Sequence, residues 1–200
     1  LADRLEARSQ DGYLWDMQAW YGGDINKLWL KTEGEGGFGR SPEDAEFQAL
    51  YSRAISPWFN FQTGLRYDVR PTPERTHFVL GIQGLLPYVF ELDAAAFLSN
   101  KGDLTGRFEF EYDQLITQRL FLQPRIAVNL AAQDIPELRI GSGLSSMEAG
   151  VRLRYEFRRE FAPYVGINWG RKLGATADFA RAADESPGGW NFVLGVRTWF

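Results

Sequence analysis

LTGRFEFEYD, residues 104–113, alternates with a period of two. Phe108, Phe110 and Tyr112 fall on one side; Arg107, Glu109, Glu111 and Asp113 fall on the other. That is a β-strand with one apolar and one charged face. The pattern recurs down the chain. Segment 147–157 sets Val151, Leu153, Tyr155 and Phe157 against Glu148, Arg152, Arg154 and Glu156. Segments 60–69, 90–99 and 120–130, and the stretch from Trp190 onward, repeat it, the last alternating Trp190, Phe192, Leu194, Val196, Thr198 and Phe200. Weaker versions occupy 2–9, 12–21, 26–35, 45–55, 76–85 and 162–172, for twelve strands in all, with 2–9 the faintest.

Soluble sandwiches also alternate, but their strands average about 5–6 residues. Here the segments run near ten, the length that crosses a bilayer at a tilt. Arginine beside glutamate recurs on the polar face in strand after strand. A closed antiparallel up-and-down β-barrel, with lipid outside and a charged, watered interior, explains both faces together.

The bulk properties agree. No run approaches eighteen apolar residues and the mean hydropathy is −0.31, so no helix spans a membrane, whereas a barrel hides its lipid face in alternate positions. An aromatic content of 15% and 21 glycines suit interfacial girdles and a crowded lumen. A net charge of −4 gives no support to nucleic-acid binding. The absence of cysteine excludes disulfide and thiol chemistry. Leu1 opens no signal-peptide pattern, which suggests a mature or trimmed chain.

Connections give a direction. The joins near residues 22–24, 56–57, 87–88, 117–118 and 158–160 are short; those at 36–44, 70–75, 133–145 and 173–188 are longer. Bacterial barrels have short periplasmic turns and long outer loops, so both termini are expected in the periplasm. Residues 175–185 read as a short helix in the last outer loop. Pro124 sits on the apolar face and removes a ladder donor, so an irregularity is expected near it. No linker interrupts the pattern, which makes residues 1–200 one domain. An aromatic last residue, Phe200, on an outward-alternating strand is the usual signal for the outer-membrane assembly machinery.

Several stretches carry a more specific resemblance. LWDMQAWYGGDINKLWLKTEGE (14–35), AEFQALYSRAISPWFNFQTGLRYDVRP (45–71), GIQGLLPYVFELDAAAFLS (81–99), YEFRREFAPY (155–164) and the final Trp199-Phe200 are similar to the barrel of the copper resistance protein B family. The resemblance implies an outer-membrane barrel of a Gram-negative bacterium that contributes to copper tolerance by export or sequestration. Copper ion is the implied cofactor, and a periplasmic copper protein and outer-membrane lipid are the implied partners. Family members usually carry a methionine- and histidine-rich segment before the barrel, and these 200 residues contain none, with one His and two Met.

Copper prefers imidazole and sulfur ligands. The candidates are therefore His77, Met17 and Met147. By parity His77 faces the lumen near the outer rim, while both methionines face outward, and no pair has ligand spacing. The carboxylates Glu33, Glu35, Glu91, Asp93, Glu109, Glu111, Asp113, Glu148 and Glu156 have lumen parity, as do Arg66, Arg107, Arg125, Arg152, Arg154 and Arg197. They can neutralise one another and fill the interior. The acidic members can equally form a weak cation path, since conduction needs binding loose enough to release. A structural or general small-solute barrel without a metal role is the alternative. A lipid hydrolase is disfavoured: Ser142, Ser145 and Ser146 sit in outer regions, but His77, the one histidine base, points inward and no motif surrounds them.

Overall fold

The computed structural model describes residues 1–9 and 11–199. Its strands are β1 (Ala2–Arg8), β2 (Gly12–Gly22), β3 (Asn26–Gly37), β4 (Asp44–Ala54), β5 (Phe59–Arg70), β6 (Arg75–Leu86) and β7 (Phe90–Ser99). They continue as β8 (Leu104–Tyr112), β9 (Gln114–Thr117), β10 (Leu120–Ala131), β11 (Gly143–Tyr155), β12 (Phe161–Lys172) and β13 (Gly188–Thr198). Successive strands pair antiparallel, except that β8 and β9 both pair with β10, and β13 returns to pair with β1. Closure leaves no edge with unpaired backbone groups, which hydrocarbon would not tolerate.

β8 and β9 are two parts of one crossing strand, so twelve strands span the barrel. β8 pairs with β10 as far as Glu111↔Arg125, and β9 resumes at Gln114↔Leu122. The gap lies opposite Pro124, whose other side keeps an unbroken register with Val151 of β11. Proline has no N–H to donate to the strand beside it, and here the break falls in the partner strand at Asp113. The irregularity expected near Pro124 is thus present, and the strand expected to end at 113 continues to Thr117. β11 likewise starts at Gly143 rather than 147, because Leu144 and Gly143 still pair with Leu130 and Ala131. Side chains there give little alternation, but the backbone ladder does not need them.

The outward face is apolar and exposed. Leu30, Phe47, Leu65, Leu80, Phe108, Ile126, Leu153, Ile167 and Leu194 all point away from the lumen. On a soluble protein such a continuous surface would aggregate; around a closed barrel it is a lipid-facing band. Phe90 against Tyr112 (4.7 Å) and Tyr155 against Phe157 (4.8 Å) are aromatic pairs at the short-turn end of that band. The long joins gather at the opposite end, where α1 (Gly174–Ala182) lies within the last of them, as residues 175–185 predict. β1, the faintest strand in the sequence, is the shortest of the twelve crossing strands at seven residues. Its signal is faint because only Leu5 and Ala7 mark its outward face. Phe200, read as the assembly signal, lies outside the described residues.

Candidate functional site: the lumen

Inward-facing charges form a lattice rather than isolated pairs. Arg4 of β1 bridges Asp16 (2.8 Å) and Glu33 (2.9 Å) on the next two strands. Arg66 of β5 holds Glu46 (2.8 Å) and Asp68 (2.6 Å). Arg125 pairs with Glu109 at 2.7 Å and Arg154 with Asp113 at 2.7 Å. Glu6 receives Arg152 from β11 at 2.7 Å, and the Tyr164 hydroxyl from β12 donates to the same oxygen at 3.1 Å. Tyr164 lies flat enough to reach it because Gly195 is its cross-strand neighbour; a Cβ there would meet the ring at 2.5 Å. A guanidinium matches two carboxylate acceptors at fixed angles, so arginine suits this lattice better than lysine.

Ion pairs also cross the lumen, among them Arg197 of β13 with Asp113 at 3.9 Å. Arg107 of β8 reaches β3 and β4, at 3.0 Å from Glu33 and 3.3 Å from Glu46. Lys31 of β3 meets Asp93 of β7 at 2.8 Å. Beside Arg107 stands Phe97, an inward aromatic that has the Arg66 guanidinium 4.7 Å and the Arg107 guanidinium 5.9 Å from its ring centre. Leu50 and Val79 pack with Phe97 into an apolar cluster, with Trp29 and Ala95 against it.

The Arg107 level divides the interior in two. The outer chamber, about 560 Å³, opens among the long loops and α1; the inner one, about 410 Å³, opens towards the short turns. Glu33, Glu46, Phe97, Arg107 and Glu109 belong to both walls. Eight acidic and eight basic side chains line the outer chamber, whereas eight acidic and only two basic ones line the inner. Arginines behind the inner wall offset part of that excess. Glu91 and Glu111 keep theirs: among the described residues neither has a cationic side chain within ion-pair distance. They sit directly opposite each other on β7 and β8.

The residues singled out from sequence are distributed as follows. Glu33, Arg66, Arg107, Glu109, Arg125, Arg152 and Arg154 are in the lattice, Asp93 and Asp113 accept from it, and Glu156 approaches Arg154 at 3.8 Å. Glu35 pairs with Arg8 (2.6 Å) and Arg197 with Asp3 (2.8 Å). Glu148 lines the outer chamber and accepts weakly from Asn168. His77 is buried on the lumen wall near the outer end, its Nδ1 3.6 Å from Asp68 and its strand paired with Arg66. Met17 is exposed on the outward face of β2, and Met147 lies on β11 across from Val128. The structure does not bring the three together. Among the described residues no group of three or more His, Asp and Glu is arranged to hold a metal ion. Arg4, Glu6, Asp16, Glu46 and Tyr164 were not singled out, although parity on β1 and β4 marks the first two and Glu46 as inward.

A family model described as copper resistance protein B precursor matches residues 1–200. The chain belongs to the copper resistance protein B family. A copper resistance protein B of Escherichia coli is 43% identical over 203 residues, covering 100% of this chain and 68% of that protein. A homolog from Pseudomonas syringae pv. tomato is 41% identical, covering 100% and 69%. Among solved structures, the NanC porin superposes with a TM-score of 0.64 at 10% identity, covering all of both chains. The KdgM porin gives 0.61 at 13%, covering 100% and 99%. At those identities the likeness is one of fold. In this copper resistance protein B family barrel the inward acceptors are mostly carboxylate and amide oxygen, harder ligands than imidazole or sulfur.

Proposed function

We propose that the barrel sits in the outer membrane of a Gram-negative bacterium and passes copper ions outward, entering at the short-turn, periplasmic end. The observation that carries this is the charge difference between chambers. A low-dielectric vestibule lined by an excess of one sign concentrates ions of the other. Glu91 and Glu111 stand unpaired at the end where copper from the periplasm would arrive. Oxygen donors that bind weakly favour throughput over storage, which argues for transport rather than sequestration. A periplasmic copper protein docking at the short turns would supply the ion. His77, between Asp68 and two arginine-bearing positions, is a passing contact in this scheme, and Met17 and Met147 face lipid. A lipid-hydrolase role draws no support from the fold: His77 lies on β6, whereas Ser142 precedes β11 and Ser145 and Ser146 lie within it, and β6 and β11 are not neighbours in the sheet.

Copper flux from liposomes holding the purified barrel tests this, with potassium and a chelated-copper control. Release of free copper faster than potassium is the expected result; no release of copper sinks the proposal. The porin-like fold favours one other reading, a general small-solute barrel, which would pass a small neutral solute as readily as copper.

A further inference from the structure

Among the five residues common to both chamber walls, one is a guanidinium whose bonding differs from that of its neighbours. Arg107 makes its contacts at 3.0, 3.3, 3.3 and 3.4 Å, to Glu33, Glu46 and Asn129. Arg4, Arg66, Arg125 and Arg152 each have a shortest ion-pair contact of 2.6–2.8 Å. The Arg107 side chain is 25% exposed, against 5%, 12%, 7% and 2% for those four. Both of its carboxylate partners are also held elsewhere, Glu33 by Arg4 at 2.9 Å and Glu46 by Arg66 at 2.8 Å. Removing a partner from a buried carboxylate is costly when it leaves the charge alone. Here neither carboxylate would be left alone. A destination exists as well: Asp44 lines the outer chamber, two residues from Glu46, and among the described residues has no cationic partner within ion-pair distance.

We propose that Arg107 is the specificity-determining residue of the lumen, a displaceable bridge that swings from Glu33 and Glu46 towards Asp44. Bridged, its positive charge stands across the level that both chambers share and turns cations back. Displaced, it leaves Glu33, Glu46 and the Phe97 face lining a continuous passage from the acidic inner chamber to the outer one. This deepens the conduit reading and rests on it for the identity of the cation.

Single-channel recording in planar bilayers with potassium chloride tests the bridge without copper. Arg107→Ala should raise conductance several-fold and move the reversal potential towards cation selectivity, while Arg107→Lys, which keeps the charge but loses the fork, should move the reversal potential far less than Arg107→Ala. An Arg107→Ala barrel that is folded, shown by circular dichroism and heat-modifiable migration, yet conducts like the parent overturns the proposal. Should Arg107→Ala fail to assemble, Asp44→Asn decides, because it leaves the bridged position intact and removes the destination: fewer openings support the bridge, and unchanged gating overturns it. The two readings fail separately. Potassium conductance that rises in Arg107→Ala while no barrel passes copper removes the copper conduit and keeps the gate; copper flux in the parent with no Arg107 effect does the reverse.

Discussion

The two chambers share one barrel and five wall residues, yet they use charge in opposite ways. In the outer chamber acids and bases are equal in number, and the loops above it add further ties, among them Arg139 and Lys172 on Glu185. In the inner chamber acids prevail, and the opposed carboxylates of Glu91 and Glu111 carry no counter-ion of their own. Like charges directly across a strand pair cost stability. The difference teaches that lumen charge serves two purposes here: paired groups hold the walls together, and unpaired groups set a field for whatever enters.

If pairing is what holds the walls, breaking the most buried pair should have the largest effect. The Arg152 side chain is 2% exposed and that of Glu6 is 0%. Glu6→Ala should cost about 3–5 kcal/mol, the usual penalty for stranding one partner of a buried pair, since Arg152 has no other ion pair among the described residues; urea unfolding in lipid vesicles measures it. A loss no larger than that of an outer-loop pair such as Arg139–Glu185 would mean that the lattice does not carry the stability.

Phe108 sharpens the contrast between wall and lumen, since it faces lipid between Arg107 and Glu109, which face inward. Phe108→Arg should cost about 2–4 kcal/mol in the same assay, the depth-dependent penalty for a charge on the lipid face of a barrel. Little effect there would place β8 the other way round.

The unpaired carboxylates should show the reverse profile. Replacing both Glu91 and Glu111 by Gln should leave stability unchanged or raise it by about 0.2–1 kcal/mol through relief of cross-strand repulsion. The ratio of cation to anion permeability, read from reversal potentials, should fall. Glu148→Gln in the outer chamber should change that ratio far less, and equal effects would erase the distinction between chambers.

The smallest effect concerns the outer rim. Hydrogen bonding from Lys101, helped by Arg75, holds the Glu137 carboxyl below its ordinary value of 4.5. A depressed carboxyl stabilises the folded loop above that ordinary value and loses the contribution as pH falls through its lower folded value. Protection of residues 135–140 against hydrogen exchange, corrected for the intrinsic rate, should therefore fall as pH drops below that ordinary value and not on the alkaline side. Glu137→Gln should abolish that acid response.

Much of this was legible in the chain. The Leu104–Tyr112 alternation announces a two-faced strand, and its repetition announces the barrel; the inward parity of His77, Phe97 and the Arg107 series follows by counting. Pro124 foretold a break, although not that its partner strand would carry it. The lattice was less legible where the pattern was diluted. Arg4, Glu6 and Arg8 lie on a seven-residue strand with only Leu5 and Ala7 to mark the other face, so a short charged segment looked least like a strand.

Sequence alone determined which residues are strand, which face lipid and which face the lumen. Those properties are local: a period of two follows from backbone geometry, and the medium on each side selects the side chains. Only the tertiary structure decided who meets whom. Parity gives a side chain its direction but not its height or its place around the barrel. Arg107 finds Glu33 across 74 residues of chain, Lys31 finds Asp93 across 62, and Arg152 finds Glu6 across 146. Those meetings depend on closure, register and the tilt of all twelve strands together, and they are what divides the lumen into a balanced chamber and an acidic one.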